Sequence, residues 1–100
     1  MEAVLTVSKY LRRGEENATP RRELVRYTGM KDRELRHQIR RERLAGVPIL
    51  SNNSTGYYLP ATPEEGQRFM RSETHRARET YSTVTAIEEG LKNEFPDFGW

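Results

Sequence analysis

Apolar positions along this chain recur at helical spacing, then at strand spacing, then at helical spacing again. Val4, Val7 and Leu11, with Ala3 and Leu5 alongside, fall at i, i+3 and i+7, which predicts a helix over Glu2–Arg13. Gly14 follows as its left-handed stop. Thr19-Pro20 is a start signal, Thr as N-cap and Pro as the first helical residue. The second helix it opens is short, Pro20–Thr28, buries Leu24 and Val25, and ends at Gly29. A third helix begins near Asp32 and ends at Gly46. With about 100° per residue, Leu35 and Ile39 form its inner face. Glu42 falls on that face too, and a salt bridge to Arg12, Arg13 or Arg26 is expected there, or a turn outward to solvent.

Spacing then changes. Val47-Pro48-Ile49-Leu50-Ser51 and Gly56-Tyr57-Tyr58-Leu59 are β-prone runs around the turn residues Asn52-Asn53-Ser54-Thr55. Together they predict a β-hairpin. Alternation puts Val47, Ile49, Tyr57 and Leu59 inward and Tyr58 outward. Thr62-Pro63-Glu64-Glu65 is a second start signal, with Thr as cap, Pro at N1 and Glu at N3. A long helix over 63–93 follows, with Gly90 a possible early end or kink. At about 1.5 Å per residue it spans roughly 45 Å, more than a domain of about 60 residues is wide. Met70, Ala77, Val84 and Leu91 repeat every seven residues, with Thr80 and Ile87 at the +3 position and Glu73 interrupting. A dimerisation seam of Met70, Ala77, Val84, Ile87 and Leu91 is expected; the alternative is a helix lying along its own domain. The chain ends in an aromatic tail, Phe95 to Trp100.

Charge divides the same way. Arg12 to Ala45 holds eleven Lys/Arg against six Asp/Glu, while Pro63 to Trp100 holds five against eight. A basic front and an acidic rear point to a polyanion-binding head, 1–61, and a tail with another task, 62–100. Apolar residues make up only 34%, so the core is small. Cysteine is absent, which removes disulfides and thiolate chemistry and fits a reducing cytoplasm. No apolar run reaches the roughly 20 residues of a membrane span. His37 and His75 are the only histidines, and no nucleophile motif occurs, so neither an enzyme nor a cofactor or metal site is expected.

The segment from Thr28-Gly29-Met30 through Leu35, Ile39, Ala45-Gly46-Val47 to Gly56-Tyr57-Tyr58-Leu59-Pro60 resembles the N-terminal DNA-binding domain of the biotin repressor family. More broadly it is similar to small bacterial and phage winged-helix regulators. Lys31 stands where such proteins often have a Ser or Thr cap, with Asp32 as a substitute cap, and Glu42 stands where an apolar residue is usual. The resemblance implies an α+β, mainly α fold: a winged helix, built from a three-helix helix-turn-helix bundle and a hairpin wing, followed by the long helix. It further implies the third helix in the major groove and the wing on flanking backbone or minor groove. The resemblance does not extend to a biotin-ligase or other catalytic segment within these residues, so no enzymatic activity is expected to carry over. On this reading Arg33, Arg36, His37 and Arg40 face DNA, with Lys31 and Arg41 beside them. Arg21 and Arg22 reach phosphates, and Asn52, Asn53, Ser54 and Thr55 donate from a wing that lacks Lys and Arg. The expected role is a cytoplasmic, homodimeric transcriptional or replication regulator that binds a specific double-stranded DNA site. The rival is a protein-interaction adaptor.

Overall fold

The computed structural model describes residues 6–100. It is α+β and mainly helical. Helix α1 spans Arg21–Thr28 and α2 spans Asp32–Leu44. Strands β1 (Leu50–Asn52) and β2 (Gly56–Tyr58) form an antiparallel hairpin, and helix α3 spans Pro63–Glu94. The chain divides into two compact units between Phe69 and Met70.

The core of the first unit gathers Val7, Leu24, Leu35, Ile39 and Ile49, with Leu11, Val25, Met30, Val47, Tyr57 and Leu59 against it. Gly29 ends α1 as expected, because its left-handed backbone (φ 72°) lets its N–H close onto the Val25 carbonyl at 2.9 Å. The turn that follows brings α2 back against α1, with Leu24 and Leu35 in the shared core.

Several expectations give way to stronger pairings. Ala3, Val4 and Leu5 lie outside the described residues. Of the helix expected up to Arg13, the described part is a single 3-10 turn, Ser8–Tyr10, after which Leu11 is extended. The reason lies in the hairpin. The Arg12 carbonyl accepts the Leu59 N–H and the Gly14 N–H reaches the Leu59 carbonyl, both at 2.8 Å, so this segment runs as a parallel strand bridge. Gly14 is therefore no helix stop; it precedes a second 3-10 turn, Glu15–Asn17.

Thr19 is not the cap of α1 either. It is buried and exchanges both backbone hydrogen bonds with Tyr57, at 2.8 and 2.9 Å. Pro20 takes the N-cap place, and its carbonyl accepts from Glu23 and Leu24. Thr19 comes this close because the partner next to Tyr57 is Gly56, at φ 120°; a Cβ there would run into the Thr19 carbonyl. β2 is thus bound on both edges, by β1 and by the chain that leads into α1.

Tyr58 points inward, contrary to simple alternation. The register sets it against Leu50, and both are buried. That face of the hairpin is covered by the Glu15–Asn17 turn, and the Tyr58 hydroxyl donates to Glu15 at 3.2 Å. Burial first, and then the nearby Glu15 carboxylate, raise the Tyr58 pKa. Val47, Pro48 and Ile49 stay out of the ladder. Pro48 has no N–H to give, and the Ile49 N–H bonds back to Val47.

The start of α3 keeps its expected chemistry. The Thr62 hydroxyl accepts from the Glu65 N–H at 3.4 Å, and Glu65 reaches back to the Ala61 N–H at 2.7 Å. The other Glu65 oxygen takes the Glu15 N–H, so this one carboxylate also ties down the Glu15 turn. The Glu15 and Ala61 N–H groups hold its carboxyl below the ordinary value. Gly90 does not end α3, which continues to Glu94.

In the second unit, none of the α3 side chains is buried. Local pairs serve it instead: Glu73 with Arg76, His75 with Glu79, and Glu88 with Lys92. After α3, the Trp100 indole N–H donates to the Phe95 carbonyl at 2.8 Å and Phe98 leans on Trp100, folding the tail on itself.

Candidate nucleic-acid interface

Helix α2 has two unlike faces, and Glu42 explains how the inner one is kept. Its carboxylate accepts the Val7 N–H (2.9 Å), the Ser8 N–H (3.0 Å) and the Gln38 side-chain amide (2.9 Å). It caps the Ser8–Tyr10 turn from a distant helix. The expected partners Arg12, Arg13 and Arg26 play no part, and Glu42 does not turn to solvent; it is fully buried. Burial pushes its pKa up, but the two N–H groups, Gln38 and the Ser8 hydroxyl push harder the other way. The carboxyl sits below its ordinary 4.5. Buried backbone donors and a buried charge satisfy one another here.

With Leu35, Ile39 and Glu42 inside, the opposite face is fixed outward. Arg33, Arg36, His37 and Arg40 line one shallow depression on it. His37 also borders a second hollow with Met30, Glu34, Gln38 and Arg41. Arg41 donates to Gln38 at 3.4 Å, and Lys31 is the exposed N-cap residue of α2 without a side-chain cap bond. Arg33, His37 and Arg40 make no ion pair among the described residues, so their donors are turned to solvent.

Asp32 is not the cap expected of it. Its two oxygens hold Arg21 Nε at 2.7 Å and Arg36 Nε at 3.2 Å. It stands at the first turn of α2, where a negative charge suits the helix dipole, and it joins the α1 N-terminus to the basic face of α2. The Asp32–Arg36 spacing of four was a visible signal of half this bridge.

A groove of about 590 Å³ opens between Arg21 and Arg22 on one side and the Ser51–Tyr57 turn on the other, and Asp32 also lines it. Asn52 shapes the turn. Its side-chain oxygen accepts from the Ser54 N–H, the Thr55 N–H and the Thr55 hydroxyl, leaving Asn53 and Ser54 as the more open polar side chains. Arg21, Arg22 and the turn therefore share one groove, while Arg33, Arg36, His37 and Arg40 share the face next to it.

Arg43 is a residue that sequence reasoning passed over. It donates to the Ile49 carbonyl at 2.7 Å and the Ser51 hydroxyl at 3.2 Å, and its guanidinium lies over the Tyr57 and Phe69 rings. It fastens the end of α2 to β1 and so fixes the angle between basic face and hairpin. Its helical position, on neither the inner nor the outer face, gave no warning of this.

The five positions expected to form a seam, Met70, Ala77, Val84, Ile87 and Leu91, lie in α3 with their side chains in solvent. No helix among the described residues is long and apolar enough to cross a membrane. No cluster of three His, Asp or Glu among them could hold a metal ion. Comparison with protein-family models, curated proteins and solved structures finds no match to this chain.

Proposed function

We propose that this protein is a winged helix-turn-helix regulator of bacterial or phage type that binds double-stranded DNA through α2. The observation that carries the reading is the outer face of α2. Four donor-rich side chains, Arg33, Arg36, His37 and Arg40, share one exposed surface on a helix whose other face is locked by Glu42. A major groove admits one helix face, and arginine forks onto the O6 and N7 of guanine. The neighbouring groove, with Arg21, Arg22 and the polar turn, suits a phosphate strand, since such contacts set register without reading sequence. In this reading α1 and α2 are the helix-turn-helix and β1–β2 the wing. Asp32 orients Arg36 and Arg21 at the junction between base and phosphate contacts. The exposed α3 stripe supports a homodimer, and a dimer reads two half-sites.

The test is binding of the full chain to a duplex pool across a salt series, with Arg36→Ala/Arg40→Ala beside the parent. The expected result is affinity that falls steeply with salt and at least about tenfold further with the double substitution. Affinity unmeasurable at low salt, or indifferent to these changes, would overturn it.

A further inference from the structure

The second unit offers a surface whose occupant its charges identify. Along α3, Met70 (61% exposed), Tyr81 (74%), Val84 (55%) and Ile87 (57%) are open to solvent, an apolar display that a lone soluble helix rarely maintains. Charge along the same helix is split. Within the second unit, which begins at Met70, its first part carries Arg71, Arg76 and Arg78 against Glu73. From Glu79 to its end it carries Glu79, Glu88, Glu89 and Glu94 against Lys92.

We propose that α3 pairs with α3 of a second copy in antiparallel orientation, centred on Tyr81–Thr83. This rests on the homodimer reading above and adds its geometry. A parallel pair sets the basic part against its own copy and the acidic part against its own. It also places Glu73 and Glu94, which share the heptad position of Thr80 and Ile87, directly against themselves. Like charges so juxtaposed are destabilising. The antiparallel pair lays the basic part of one helix along the acidic part of the other. In the register where Met70 meets Glu94, Ala77 meets Ile87, small against large, and Thr80 meets Val84, two β-branched side chains of similar size. Leu91 meets the stem of Glu73, whose carboxylate Arg76 already holds at 3.3 Å. Tyr81 flanks the seam next to Tyr81 of the second copy, close to the two-fold axis. Aromatic rings so placed add to the area they bury.

The chain has no cysteine, so single substitutions give unique crosslinks. Full-length Ala77→Cys, Ile87→Cys and Tyr81→Cys proteins are oxidised alone and in pairs, and light scattering gives the mass of the unsubstituted protein. The expected results are a mass twice 11.7 kDa that Val84→Asp halves, a disulfide dimer of Tyr81→Cys, and a 77–87 disulfide only in the mixture. Self-crosslinking of Ala77→Cys without the mixed product overturns the orientation and leaves the homodimer. A dimer that forms none of these disulfides and ignores Val84→Asp overturns the α3 seam. A monomeric mass overturns both.

Discussion

The two units of this chain are stabilised in opposite ways. In the first, every element is held by residues distant in sequence. Glu42 caps a turn some 35 positions earlier, Thr19 pairs with Tyr57, and Arg12 and Gly14 bind Leu59. In the second, α3 is held by pairs three or four residues apart and buries nothing. A helix of that kind draws little from tertiary packing, which supplies most helical stability in folded domains. The comparison teaches where information sits: the first unit is specified by contacts distant in sequence, and α3 by pairs along its own length.

Substitutions sharpen the contrast, and the strongest strike the long-range pairings. Gly56→Ala forces a Cβ into the Thr19 backbone at φ 120°. A loss of about 4 kcal/mol in the first unit is expected, read by hydrogen exchange at the Leu35 and Ile39 amides. Glu42→Ala strands the Val7 and Ser8 N–H groups and Gln38, and about 3 kcal/mol should go. The same carboxylate makes stability pH-dependent. Its folded pKa lies below the unfolded 4.5, so its contribution is present above 4.5 and is lost as pH falls through the folded value. Glu42→Gln should flatten that acid slope in urea titrations. Tyr58→Phe removes only the hydroxyl bond to Glu15, about 1 kcal/mol by the same exchange measurement. Val84→Asp should leave the first unit within about 0.5 kcal/mol of the parent, because its side chain is buried by nothing there. A large loss from Val84→Asp would dissolve the distinction between the units.

Much of the architecture was legible because local rules governed it. Gly29, the Thr62–Glu65 cap and the inner pair Leu35 and Ile39 read directly from sequence, since each depends on neighbours within one turn. What escaped depended on partners elsewhere. The Val7–Leu11 spacing is helical, yet Arg12 and Gly14 are drawn into pairing with Leu59. Thr19-Pro20 carries a capping signal, yet Thr19 joins β2. Tyr58 has the alternation of an outward residue, yet a turn from Glu15 covers that face. Glu42 looked misplaced because its partners are backbone N–H groups, which no residue pattern displays. For the candidate site, the outward basic residues of α2 followed from periodicity alone. The Arg21 half of the Asp32 bridge and the Arg43 clasp required the fold.

The central claim, that the outer face of α2 grips duplex DNA, is met most directly by titrating the full chain with a duplex at low salt and following its backbone amide signals. The account predicts that signals of Arg33, Arg36, His37 and Arg40 move first, followed by Arg21, Arg22 and Asn53–Thr55, and that all return as salt is raised. Shifts confined to α3 and the aromatic tail, or none at any salt, would contradict it.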